Sequence, residues 1–319
     1  KKMLWTHEMI DEPIDSLLTR AEAELARLRK EFTEVAQRID KNRPVADVQL
    51  AMQKDHPTTD KVIPEIHGGL ARLKQFLKDK SILTVPSDVL PLVRETPPFM
   101  RATTLAAMDT PGPFENTTEA YYYATLPEAS WPEGKREDFM RGAYSRPTIE
   151  VLSIHEAYPG HYTQFLWLPK LSKVRKFAGV MSNEEGWAHY TEQMLLDAGY
   201  GDGNSNLRLA QLQDALLRAG RFVAAIRLHV KGMTPEQAAD FFAKDALQTR
   251  EIAEVEARRG TQDPMYLSYT YGKLEILRLQ KDYQKKLGPA FTLKKFHDSL
   301  LSYGRAPLRL VRAAMLDEK

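Results

Sequence analysis

H-E-A-Y-P-G-H, residues 155–161, is the stretch whose reading decides how this chain folds around a site. It holds two histidines six positions apart, with a glutamate beside the first. In H-E-x-x-H the histidines are four apart and share a helix face. Six steps of about 100° along a regular helix leave His161 roughly 120° from the face of His155. The segment carries its own remedy. Pro159 lacks an N–H and clashes with the preceding turn, and Gly160 tolerates dihedrals closed to other residues. A break or bulge at Ala157–Gly160, equivalent to looping out two residues, brings the imidazoles together. Glu156 then lies where a general base belongs. A second reading stays open: Pro159 and Gly160 end a helix, His161 falls in the following loop, and no metal is bound.

The next signal is S-N-E-E-G-W-A-H-Y-T-E-Q-M-L-L-D-A, residues 182–198, which reads as a helix. Glu185, His189 and Glu192 fall at i, i+4 and i+7 and share a face. Trp187, Tyr190 and Met194 lie on another. Two bland readings compete. Ser182-x-x-Glu185 fits a capping box, and the row of Glu185, His189 and Glu192 fits a solvated face. Against these stands the composite: two histidines and a glutamate on separate segments form the N/O ligand set of a zinc site that keeps one position open.

Other segments accompany these two: M-D-T-P-G-P-F-E (108–115), Y-Y-Y-A-T-L-P (121–127), R-L-H (227–229), D-P-M-Y-L-S-Y-T-Y-G-K-L (263–274) and F-H-D-S-L-L-S-Y-G-R-A-P-L (296–308). Together, from about residue 3 to the end, they resemble a bacterial family catalogued as domain of unknown function 885. That family is similar to the glutamate-zincin metallopeptidases, and its members are usually longer. The resemblance implies a single catalytic domain over 1–319, the C-terminal part of a longer protein. It implies zinc held by His155, His161 and Glu185, with Glu184 as the fallback ligand and Glu156 as general base. His189 and Glu192 are expected behind the ligands. Tyr269 and His229, both in family-like motifs, are the candidates for stabilising the oxyanion. Arg227 is the candidate for a substrate carboxylate. Relatives are often exported or lipid-anchored, which favours the cell envelope.

Composition bounds the rest. The 319 residues include 43% hydrophobic and 28% charged, with a formal net charge of +2 and no cysteine. Disulfides and thiolate metal sites are excluded. There is no basic stripe with interleaved aromatics for nucleic acid and no apolar run long enough to span a membrane. The N-terminal K-K-M-L-W-T-H-E-M-I has no long apolar core of the signal-peptide kind.

Apolar periodicity predicts helices over 11–41, 59–79, from near Pro147, 205–231, 265–287, 292–303 and 307–317. Thr234-Pro235-Glu236-Gln237 is a helix start with a capping box. The stretch 81–134 is rich in proline, threonine and tyrosine, and Tyr121–Leu126 is its best strand. Peptidases pair extended substrates with strand edges, so Tyr122 is a candidate substrate neighbour; three tyrosines packed on a small sheet is the other reading. On the predicted 265–287 helix, Tyr266, Tyr269 and Lys273 share a face.

The expectation is a mainly α fold: a large helical metallopeptidase-like domain with a small β-sheet near residues 100–127. Its reaction is hydrolysis of a peptide bond by zinc-activated water, on a peptide or small amide substrate. A zinc amidase on a non-peptide substrate and a non-catalytic helical binding module are the rival classes.

Overall fold

The computed structural model describes residues 1–101, 104–115, 117 and 119–318. Helices α1 (Lys2–Glu8), α2 (Ile14–Ile39), α3 (Val45–Gln53) and α4 (Val62–Asp79) precede strands β1 (Leu92–Glu95), β2 (Ala106–Asp109) and β3 (Tyr121–Ala124). Then come α5 (Glu133–Ala143), α6 (Arg146–Glu156), α7 (His161–Trp167), α8 (Lys173–Phe177) and α9 (Met181–Asp197). The chain closes with α10 (Ser205–Val230), α11 (Pro235–Lys244), α12 (Arg250–Gln262), α13 (Ser268–Leu287), α14 (Leu293–Leu301) and α15 (Leu308–Leu316). The fold is mainly α, as the periodicity predicts.

The predicted helices form close to their expected bounds. α2 buries Leu17, Leu25, Leu28, Phe32 and Val35 and packs along α10. Full burial of each such side chain stabilises by about 1.5–3 kcal/mol. Thr234 and Gln237 make the predicted reciprocal cap of α11. The reading of Ser182 and Glu185 as a capping box does not hold, because α9 begins at Met181 with no side-chain cap of its own. Its first amides instead donate to Glu8 of α1, Met181 N–H at 3.1 Å and Ser182 N–H at 3.0 Å. A carboxylate at a helix N-terminus satisfies orphan donors and complements the dipole.

The sheet is small and ordered β1-β3-β2. β1 runs parallel to β3 with Leu92 opposite Tyr121, and β2 runs antiparallel with Ala106 opposite Ala124. Two expectations need correction. The sheet starts at residue 92, ahead of the 100–127 window, since Leu92–Glu95 shows little of the alternation that marks a half-buried strand. β3 is central, with β1 and β2 hydrogen-bonded to its two sides, so it has no free edge for a substrate.

Two large apolar clusters build the core. One gathers Leu70, Tyr122, Tyr158, Tyr162, Trp187 and Phe296; the other gathers Phe32, Leu212, Phe222, Phe242 and Tyr266. Leu196 and Tyr200 pack against both. Helices α6 and α13 contribute to each cluster as well: Ile154 and Ile276 to the first, Val151 and Tyr271 to the second. α9 and α13 touch closely. A Cβ on Gly186 would lie 2.5 Å from Gly272 Cα, and one on Gly272 would lie 1.8 Å from the Ser182 carbonyl oxygen. Only glycine fits at either position. This contact brings the start of α13, with Tyr269, against the turn of α9 that carries Glu185.

Candidate metal centre

α6 starts from Ser145, whose hydroxyl accepts the Thr148 amide, and ends at Glu156. α7 starts at His161. The helix therefore breaks at Ala157–Gly160, as the spacing requires, and His161 opens a new helix. Gly160 makes the sharp return possible. A Cβ there would sit 1.7 Å from the His155 carbonyl oxygen, and the Gly160 N–H donates to Ile154 O at 2.9 Å. The fully buried Trp187 fixes the break from α9: its indole N–H reaches the carbonyls of Pro159 at 3.0 Å and Gly160 at 3.3 Å.

The outcome is a convergent trio. Nε2 of His155 and Nε2 of His161 each lie 3.5 Å from the same oxygen, Oε2 of Glu185. All three ligand atoms fall within 4.8 Å of one another, and among the described residues this is the one His/Cys/Asp/Glu group with metal-holding geometry. Two ligands about 2.1 Å from a tetrahedral zinc are about 3.4 Å apart. Two edges of the triangle already match. The third is at most 4.8 Å, and closing it asks at most about 1.4 Å of the rings. His161, with its side chain 21% exposed against 6% for His155, is the freer to move. The donor set, two imidazoles and a carboxylate with no thiolate, fits a hard to borderline divalent ion such as zinc.

Behind the trio lies a buried charge hub. His155 Nδ1 lies 2.6 Å from Glu192 Oε1, which turns Nε2 toward Glu185. His189 Nδ1 lies 3.0 Å from Glu192 Oε2, and Arg218 reaches Glu192 at 3.2 Å. A carboxylate on the far nitrogen of a ligating histidine fixes its tautomer and raises its basicity. Burial pushes the Glu192 carboxyl up, but Arg218, His189 and His155 outweigh it and hold the group below the usual carboxylate range. Burial and Arg218 push His155 down, yet Glu185 and Glu192 overcome both and raise it to about 9. His189 is lowered to about 3, by burial first and then by Lys273, so it is neutral and donates from Nδ1. Glu185 sits well below its ordinary value because His161 and His155 outweigh its burial.

The remaining candidates separate cleanly. Glu156 is buried at the end of α6, and among the described residues no hydrogen bond or ion pair engages its carboxylate. Tyr122 is fully buried. Burial, and next the Glu156 carboxylate, push its phenol well above the ordinary value, and a fully buried side chain presents no surface to a substrate. Tyr269 is half-buried, and its phenol is raised by burial and then by Glu185. The guanidinium carbons of Arg218 and Arg221 lie 5.9 and 5.3 Å from its ring centre. Glu184 is paired with Arg305 at 2.9 Å and is not one of the three converging ligand groups. His229 hydrogen-bonds the Gly260 carbonyl at 2.8 Å and Arg227 pairs with Glu22 at 2.8 Å. At 1.5 Å per residue they lie about 16 and 13 Å along α10 from Arg218, so neither is brought to the trio.

Residues 1–315 match the family described as bacterial protein of unknown function, DUF885. The chain belongs to this family. Over 99% of its length it is similar to a solved structure described as "a putative lipoprotein of unknown function from Shewanella oneidensis", at 29% identity and a TM-score of 0.89. A second, "the putative lipoprotein from Colwellia psychrerythraea", matches all of the chain at 22% identity and a TM-score of 0.85, and shows the shared fold. The DUF885 chain covers 58% and 55% of these two structures, a little over half their length. No curated protein matches it.

Sequence reasoning passed over several residues of this DUF885 site. Arg218 and Arg221 sit in a leucine- and alanine-rich helix, and with Asp214 they fall at i, i+4 and i+7, the spacing that singled out Glu185, His189 and Glu192. A charged row at that spacing inside an otherwise apolar helix was the available signal. Arg221 is clamped by Glu256 of α12 through two 2.7 Å bonds, a pairing that spans 35 positions and leaves no local mark.

Proposed function

We propose that this chain is a zinc-dependent peptidase that hydrolyses peptide bonds with a glutamate general base. The observation that carries the reading is the pair of imidazole nitrogens, each 3.5 Å from one oxygen of Glu185, with a buried carboxylate, unpaired among the described residues, next in sequence to the first. His155, His161 and Glu185 would hold the zinc, which when bound supplies Lewis acidity and acidifies water for attack on the carbonyl. Glu156 takes the proton of the attacking water and returns it to the leaving amine. Tyr269 donates its hydroxyl hydrogen to the carbonyl oxygen as charge builds there. Glu192 keeps His155 in the tautomer that presents Nε2, and Arg218 keeps Glu192 ionised.

We read residues 1–319 as one catalytic unit of this activity. The description of the structural neighbours as lipoproteins favours a place in the cell envelope. No helix among the described residues is long and apolar enough to cross a membrane.

The test is a zinc titration of chelator-stripped protein combined with turnover on a peptide library. One zinc per chain is expected, lost in His161→Ala and retained in Glu156→Gln, with Glu156→Gln losing activity by several orders of magnitude. A fully active Glu156→Gln protein, or zinc uptake unaffected by His161→Ala, ends the proposal.

A further inference from the structure

Beyond the trio, a partly exposed cation, Arg259, lies beside Tyr269. Arg259 lies in the last turn of α12, three residues after Glu256 and on the same helix face. Glu256 clamps Arg221, and the Arg221 guanidinium carbon is 5.3 Å from the ring centre of Tyr269. The Arg259 guanidinium carbon itself lies 6.0 Å from the ring centre of Tyr266, three residues before Tyr269. These contacts set Arg259 alongside Tyr269. Burial and then Glu185 raise the Tyr269 phenol; Arg221 and Arg259 oppose them, Arg259 partly through a hydrogen bond to it.

The three arginines differ in what they already hold. Arg218 is buried on Glu192 and Asp214, and Arg221 is buried on Glu256. Both neutralise internal carboxylates. Arg259 is 38% exposed; it holds Asp263 by a single bond at 3.3 Å, lies over the Tyr266 ring and has a polar contact with the Tyr269 hydroxyl. A guanidinium has five N–H donors in a planar fork that matches a carboxylate bidentately. Arg259 therefore keeps donors of its fork free beyond these contacts, on a side chain that reaches solvent.

We infer that Arg259 is the receptor for the C-terminal carboxylate of the substrate, making the enzyme a carboxypeptidase that releases one or two residues. This rests on the reading of the trio as a hydrolytic zinc centre. The reach is right for the class. From the scissile carbonyl carbon, the carboxylate of a single leaving residue is under about 4 Å away, and a second residue adds about 3.4 Å. A cation next to the residue that holds the carbonyl oxygen meets a carboxylate at that range, and a chain continuing past it would leave the guanidinium facing an uncharged amide.

The experiment uses zinc-loaded full chain and two acylated tetrapeptides of one sequence, one with a free C-terminal carboxylate and the other with a C-terminal amide. The wild type is expected to prefer the acid by about 10²-fold or more in kcat/KM. Arg259→Ala should raise KM for the acid by about 10–100-fold, well beyond any change in KM for the amide, so that the preference collapses. Arg259→Lys should keep part of it, a point charge without the fork. Arg258→Ala, at the exposed neighbouring position, is the control for general loss of charge. Equal use of acid and amide by the wild type, or an equal drop on both in Arg259→Ala, overturns the receptor. If neither peptide is cleaved by the wild type, calorimetric binding of N-acetyl-trialanine and its amide separates the two failures. Acid-selective binding that Arg259→Ala abolishes keeps the receptor and discards the peptidase; binding without acid selectivity, or no binding, discards the receptor.

Discussion

Gly160→Ala tests the geometry that joins the two histidines. The added Cβ would lie 1.7 Å from His155 O, 2.4 Å from His155 C and 2.5 Å from Ile154 O. All three are backbone atoms at the end of α6 and cannot swing aside as a side chain would. Taking the shortest contact from 1.7 Å out to the 3.0 Å that real Cβ atoms keep moves the first turn of α7 by about 1.3 Å and stretches the Gly160–Ile154 hydrogen bond. His161 is the first residue of that turn. Carried through to its ring, the shift lengthens the 3.5 Å edge to Glu185 to about 4.8 Å, past the about 4.2 Å that two ligands at 2.1 Å from one ion can span. Both edges at His161 would then need closing. The expected cost is about 1–3 kcal/mol of stability, the usual range for overpacking, and at least about 10²-fold in zinc affinity. Urea unfolding of the metal-free protein reads the first, and competition with a chelating dye reads the second. Gly134→Ala is the control, since a Cβ there meets nothing within 4 Å; in α5 it should stabilise by about 0.4–1 kcal/mol and leave zinc binding alone. A Gly160→Ala protein with wild-type stability and zinc affinity would refute the argument that this contact positions His161.

Three further outcomes are expected. Glu192→Gln removes the carboxylate that Arg218, His155 and His189 share; zinc affinity should fall about 10–100-fold and stability by on the order of 3 kcal/mol, because Arg218 stays buried, and a variant with unchanged dye competition and urea midpoint contradicts the hub. His155, raised to about 9 from an ordinary 6.5 in the metal-free fold, supports that fold fully below about pH 6.5 and loses its contribution as pH rises through about 9. Zinc uptake at pH 7 should accordingly release about one proton, seen by calorimetry in buffers of different ionisation enthalpy, and the release should fade above pH 9; a release independent of pH across that window contradicts it. Tyr269→Phe should keep zinc and KM while lowering kcat by roughly 10²–10³-fold, and an unchanged kcat returns Tyr269 to a packing role.

Much of this protein is legible in its linear order because much of it is decided within one or two helix turns. The apolar spacing of Leu17, Leu25, Leu28 and Phe32 makes α2, Thr234-Pro235-Glu236-Gln237 starts α11, and proline with glycine after Glu156 breaks the helix between the histidines. The break in particular follows from a six-residue spacing that no regular helix can bring to one face. Tertiary structure alone decides the rest. A row such as Glu185, His189 and Glu192 has the same spacing whether it faces water or a buried hub, and only the packing of α9 against α6, α10 and α13 closes it in. The same holds for His229 and Arg227, whose motif-like surroundings say nothing of the about 16 and 13 Å of helix between them and Arg218. Glu8 capping α9 and Glu256 holding Arg221 are long-range bonds between residues that carry no mutual signal in sequence. Periodicity and turn chemistry are local properties of a chain, whereas a convergent charge cluster depends on which faces meet, and that is settled only when the helices pack.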